Sequence, residues 1–150
     1  SNSSNWFEVG IALRMRGEEY GATTKRPRRI GMLDLVMLRQ NCLMNGVDKL
    51  YINKFDSLRD FSLTSLPGIP LVVAYELEGK IIDYIPADCE KAKPVIEFFE
   101  HIPDISQIKD YDSLPEEVKE LITFIEKFTQ TKIAGIGVGP EREQMVEIFQ

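Results

Sequence analysis

Asn53-Lys54-Phe55-Asp56 carries the residue types that reading a guanine base requires. A carboxylate at Asp56 can accept from both the N1–H and the exocyclic amine of guanine, a paired acceptance that adenine cannot satisfy. Lys54 can lay its aliphatic stem on the ring face. Selectivity then comes from leaving a buried carboxylate unpaired against the wrong base. The same tetrapeptide also fits a solvated turn, because short motifs recur by accident. A second constellation, Gly21-Ala22-Thr23-Thr24-Lys25-Arg26-Pro27-Arg28-Arg29, joins two hydroxyls and fork-shaped guanidinium donors in a segment that Pro27 holds extended. It suits carboxylate and phosphate ligands. The alternative is a basic surface loop that touches nucleic acid, although few aromatics are interleaved with it and no second basic patch continues a groove. Third is Gly135-Ile136-Gly137-Val138-Gly139-Pro140-Glu141-Arg142, where glycines at a strand end let a ligand approach the backbone or serve as a turn device. No G-x-x-x-x-G-K-[ST] phosphate loop occurs in the chain.

Around these segments the hydrophobic pattern predicts an α/β unit. Residues 6–15 alternate nearly enough to be a strand or the start of a short helix, and Gly17 to Arg29 lacks an apolar face and is a loop. Leu33, Val36, Met37, Leu43 and Met44 fall at helical spacing from Gly31 to Asn45, and Asn45-Gly46 supplies a left-handed stop. Lys49 to Asn53 is a short strand, so Asn53-Lys54-Phe55-Asp56 lies just past a strand's carboxyl end, where open α/β sheets place ligands. Leu71 to Leu77 and Lys80 to Ile85, split by Glu78-Gly79, form a hairpin expected to project as a ribbon. Pro94 to Phe99 is another strand. Ser113-Leu114-Pro115-Glu116 has the form of a capping box opening a helix to about Phe128, with Val118, Leu121, Ile122, Ile125 and Phe128 facing the core. Lys132 to Val138 is a strand, Gly139-Pro140 breaks it, and Gln144 to Phe149 is extended. The expected fold class is a mixed β-sheet with packed helices and a projecting hairpin.

Composition narrows the function. The 150 residues suffice for one ordinary core, and no apolar run approaches the roughly 20 residues of a membrane helix. There is no charged-then-apolar secretory pattern, and the polar Ser1 to Asn5 is set aside as a tag remnant or frayed end. Cys42 and Cys89 lack metal-like spacing and His101 sits in no motif, so disulfide, zinc and histidine-based catalysis are not expected. A reducing, cytoplasmic setting fits. The net charge of −6 is unevenly spread: residues 1–75 hold ten Lys/Arg against seven Asp/Glu, and residues 76–150 eight against seventeen. The Lys25 to Arg29 patch can therefore attract anions to an otherwise acidic chain, whereas nucleic acid and membrane partners are not expected.

Taken in order, these segments resemble the carboxyl-terminal third of adenylosuccinate synthetases. The likeness runs from about Glu19 to Phe149. It includes Gly21-Ala22-Thr23-Thr24, Arg26, Arg28-Arg29, Gly31, the helix Leu33 to Asn45, Asn53-Lys54-Phe55-Asp56, Ala74-Tyr75, Gly79-Lys80, Lys93-Pro94, Leu114-Pro115 and Gly139-Pro140-Glu141-Arg142. The resemblance implies that residues 1–150 are the carboxyl-terminal portion of a larger P-loop-like, GTP-dependent synthetase. Such an enzyme phosphorylates the 6-oxygen of inosine monophosphate (IMP) and lets aspartate displace the phosphate. By that likeness Ala22, Thr23, Thr24, Lys25, Arg26, Pro27 and Arg28 form a loop closing on aspartate and IMP, with Thr24, Arg26 and Arg28 on the aspartate carboxylates. Arg26 also reaches the IMP ribose and Arg28 the GTP side. Lys54, Phe55 and Asp56 hold guanine, and Gly137, Val138 and Gly139 wall the base pocket. The catalytic Asp and His and the Mg2+ ligands are expected in an absent amino-terminal part, so the chain alone is expected to be inactive and the complete enzyme a homodimer. Two departures stand out: Lys25 where the family has glycine, and Met32 where it has an aromatic. Asn53 and Phe55 replace the commoner Thr and Leu and leave the Lys54 and Asp56 roles intact. The competing expectation is a stand-alone guanine-nucleotide or anion-binding module without catalysis.

Overall fold

The computed structural model describes residues 3–148, so the expected extended path at Phe149 lies outside it. Helix α1 spans Ser3–Arg16, β1 Leu33–Asp34, α2 Leu35–Asn45, β2 Lys49–Ile52, a 3₁₀ helix Phe55–Leu63, β3 Ile69–Leu77, β4 Lys80–Ile82, β5 Lys93–Phe99, α3 Glu116–Thr129, β6 Lys132–Gly137 and β7 Met145–Glu147. The class is α/β, as expected, but the strands form two mixed sheets instead of one. In the first, β1 runs parallel to β3, while β4 and β5 pair with β3 antiparallel. In the second, β6 lies between parallel β2 and antiparallel β7. The α3 residues Val118, Leu121, Ile122 and Ile125 are buried, as their spacing predicts, and share one core with Leu35, Phe55, Ile69, Leu71, Ile133 and Ile136. Phe128 packs against that core only partly buried.

Residues 6–15 resolve as helix. Val9 is buried and Leu13 packs on the core, but Phe7 and Met15 on the other face are 71% and 64% exposed. The 31–45 helix starts later than the apolar spacing suggests. Leu33 and Asp34 pair instead with Leu71 and Val72 of β3, and Asp34 caps α2 by accepting from the Met37 N–H at 2.9 Å. Its other carboxylate oxygen accepts from the Tyr75 hydroxyl, and burial, then the Asp34 contact, raises the Tyr75 pKa. The stop at Gly46 is left-handed as predicted, with φ 58°. So is the hairpin turn, where Glu78 and Gly79 both have positive φ, the pattern of a type I′ turn. The hairpin does not stand free as a ribbon, because β5 pairs along β3 from Ile69 to Glu76. Strand β4 also stops at Ile82, earlier than expected.

The capping box does not form. Helix α3 opens at Glu116 with Pro115 at the N-cap position, so Ser113 lies two residues short of the cap, and its backbone N–H and hydroxyl donate back to Asp110 at 2.9 and 2.8 Å. No side chain caps α3.

The basic loop is a small hairpin. Its neck is tied by Arg28 N–H to the Glu19 carbonyl at 2.9 Å and by Gly21 N–H to the Arg26 carbonyl at 2.8 Å, with Tyr20 and Pro27 bridged between them. At the tip Lys25 takes φ 54°, a region that costs a side-chain-bearing residue roughly 1–2 kcal/mol.

Two expectations follow for urea denaturation of the chain. Asp34→Ala should lose about 1–2 kcal/mol through the absent cap and the stranded Tyr75 hydroxyl, while Tyr75→Phe should cost less than about 1 kcal/mol. Lys25→Gly should gain about 0.5–1 kcal/mol, the relieved backbone strain outweighing the added chain entropy; an unchanged or lower midpoint would show that the left-handed turn is unstrained.

Candidate functional site

Strands β2 and β6 run parallel with Ile52 opposite Ile136, so both leave the sheet at the same end. Asn53-Lys54 emerges from one and Gly137 to Gly139 from the other. The backbones then come so close that a Cβ on Gly137 would stand 3.0 Å from the Lys54 nitrogen and 3.3 Å from Asn53 Cα. A side chain there would press the two backbones apart by a few tenths of an ångström, and glycine avoids that. Lys54 turns the chain through φ 55°, ψ 33°, and the turn is fastened by Ser57, whose N–H and hydroxyl donate to the Lys54 carbonyl at 3.1 and 2.6 Å. This reversal buries Phe55 in the core and sets Asp56, half-buried, in the first turn of the 3₁₀ helix.

Burial raises the Asp56 carboxyl above its ordinary range, only partly offset by backbone N–H groups at Asp56 and Ser57 and by Arg59. A hollow of about 470 Å³ opens beside it, lined by Lys54, Asp56, Arg59, Gly139 and Pro140 among others. It therefore joins the Lys54-Asp56 segment to the glycine-rich strand end. Of the three glycine-end residues expected to wall a base pocket, Gly139 lines this hollow and Gly137 and Val138 do not. Gly137 serves as the spacer under Lys54, and Val138 is buried with its N–H donating to the Gln144 carbonyl at 2.8 Å. The Phe55 side chain likewise belongs to the core, its surface bordering a second hollow.

That second hollow, about 480 Å³, is lined by Glu19, Arg28, Arg29, Met32, Lys54 and Phe55 among others. Lys54 thus stands between the two spaces, and Arg28 reaches the second. Ala22, Thr23, Thr24, Lys25, Arg26 and Pro27 are exposed on the hairpin tip and line neither hollow. Of the seven residues expected to grip aspartate and IMP, the geometry brings only Arg28 to the Lys54-Asp56 segment.

Glu19 makes that link, and the sequence reading gave it no role. One of its carboxylate oxygens accepts from the Lys54 ammonium and the other from Arg28 Nη1 at 3.2 Å. Helix α1 delivers it: Glu18 takes φ 50° just past the helix end, and the Glu19 N–H donates to the Arg14 carbonyl at 3.0 Å. The Lys54 and Arg28 cations hold the Glu19 carboxyl below the usual glutamate range. Its position next to the cationic loop was the available signal, but its partner Lys54 lies 35 positions away.

A further hollow, about 660 Å³, lies elsewhere, between the carboxyl ends of α2 and α3 and residues 83–85. It contains none of the expected site residues, and its charged pair Arg39 and Asp83 is mutually engaged at 3.6 Å. Among the described residues no His, Cys, Asp or Glu cluster is placed to hold a metal, and no helix is long and apolar enough to cross a membrane.

Comparison with known proteins gives the family. The family model for adenylosuccinate synthetase matches residues 2–146. The chain is 43% identical over 142 residues to an adenylosuccinate synthetase of Borrelia recurrentis, covering 92% of this chain and 32% of that protein. It is 44% identical over 144 residues to one of Caldicellulosiruptor bescii, covering 93% and 33%. Its backbone matches the fully ligated adenylosuccinate synthetase of Plasmodium falciparum with a TM-score of 0.83 at 38% identity, over 94% of this chain and 34% of that one. The chain spans about a third of the length of these relatives. A site in which parallel strand ends present Lys54, Asp56 and Gly139 to one hollow, with Arg28 tied alongside, therefore sits in a chain that belongs to the adenylosuccinate synthetase family.

Proposed function

We propose that this chain supplies the guanine-reading and aspartate-gripping elements of a GTP-dependent ligase that joins aspartate to IMP to give adenylosuccinate. The observation that carries the reading is the single hollow shared by Lys54, Asp56 and Gly139. Asp56 accepts from guanine N1–H and the exocyclic amine. Its partial desolvation makes an unpaired carboxylate costly and so turns two hydrogen bonds into selectivity. The Lys54 stem covers one ring face, and Gly139 leaves room for the base edge. Arg28, with guanidinium donors beyond the one spent on Glu19, engages an aspartate carboxylate and the GTP side. Thr24 and Arg26 belong to the same grip and reach it only if the 22–27 tip swings toward Arg28.

These groups bind and orient; none is positioned here as a proton-transfer group. Magnesium would be held by the remaining part of the enzyme. The remaining two thirds of the enzyme would supply phosphate activation, and the exposed Phe7 and Met15 face of α1 is where apolar chain from that part would pack. A homodimer in the cytoplasm completes the proposal.

Joining residues 1–150 to the amino-terminal part of the enzyme should create GTP- and aspartate-dependent formation of adenylosuccinate. Guanine-selective binding without any turnover would instead favour a stand-alone nucleotide-binding module. In the active protein Asp56→Asn should raise the GTP KM and shrink the preference for GTP over ATP by roughly 10- to 100-fold, the scale of one bidentate base contact. Arg28→Leu should act mainly on the aspartate KM. An Asp56→Asn enzyme with unaltered nucleotide preference would remove the guanine assignment.

A further inference from the structure

The carboxylate of Glu19 is the only side chain among the described residues shown touching both Lys54 and Arg28. Its two oxygens are divided between them, one to each cation. The hairpin neck that carries Arg28 does not need this carboxylate. Backbone bonds from Arg28 to Glu19 and from Gly21 to Arg26 already close it, and Arg14 Nε donates to the Arg28 carbonyl at 2.8 Å. What the carboxylate adds is the aim of two side chains. It draws the Lys54 ammonium back, together with the Gly17 carbonyl at 3.2 Å, so that the lysine stem lies along the partition between the two hollows. It also fixes one terminal nitrogen of Arg28 while leaving further guanidinium donors for a ligand.

We propose that Glu19 is a positioning residue that couples the nucleotide hollow to the carboxylate-binding arginine, an inference that rests on the functional reading above. A purine seated against the Lys54 stem restricts that lysine, the restriction passes through the shared carboxylate to Arg28, and the arginine is then already oriented for its acid ligand. Glu19 is charged across the neutral range in any case, and Lys54 and Arg28 move its titration further from it. Binding coupling is reciprocal, so an acid ligand on Arg28 steadies the lysine in turn.

The test is the apparent KM for aspartate in the full-length protein, measured at limiting and at saturating GTP. In the wild type, saturating GTP should lower it. In Glu19→Gln that dependence should shrink about fivefold, the scale carried by one half-exposed ion pair. Glu19→Asp keeps the charge on a side chain too short to span both cations, so it should melt like the wild type and still lose the dependence; this variant decides the matter if Glu19→Gln fails to fold. A wild type whose aspartate KM ignores GTP, or variants that keep the full dependence, would overturn the proposal. A folded wild type that makes no adenylosuccinate would instead remove the functional reading, and the proposal with it.

Discussion

The close parallel ending of β2 and β6 is the constraint on which the rest of the site depends. Because Gly137 has no side chain, the Asn53-Lys54 backbone can lie against it, and the two strand ends form a single rim. Everything chemically interesting on that rim follows from what the chain does next. On one side Lys54 reverses direction and sends Phe55 inward and Asp56 to the edge; on the other, Val138 stays in the core and Gly139 opens the wall. A side chain at position 137 would push the Asn53-Lys54 backbone outward by a few tenths of an ångström, so the same glycine serves the close strand packing and the shape of the rim.

Charges of opposite sign alternate along much of this rim. Lys54, Glu19 and Arg28 form a chain of alternating sign, and a second chain runs through Arg16, Asp60, Arg59 and Asp104 beside the Asp56 hollow. These pairs are substantially exposed and add little to stability. Their consequence is geometric: they hold long side chains in place around an opening that the hydrophobic core does not reach.

Local grammar made much of the fold legible. Asn45-Gly46 and Glu78-Gly79 announce their turns because few other residues tolerate positive φ, and the α3 face is visible in its 3.6-residue period. Readings failed where a distant or competing partner decided the outcome. Leu33 and Asp34 became strand because Leu71 and Val72 pair with them, and Ser113 misses the cap because α3 opens past Pro115 while Ser113 turns back onto Asp110. The same rule governs the site. Lys54 and Asp56 were legible as a motif past a strand, whereas the role of Glu19 depends on two partners that only the folded chain brings to it. The 22–27 tip shows the opposite case, with residue types that suit a ligand and a position outside both hollows.

Recognition of the Watson–Crick edge of guanine by the hollow beside Asp56 is read by backbone amide NMR of the chain titrated with GDP and, separately, with ADP. GDP should shift the resonances of Lys54, Asp56 and Gly139 at concentrations where ADP leaves them unmoved. Equal responses to the two nucleotides, or shifts confined to the hollow between the carboxyl ends of α2 and α3, would contradict it.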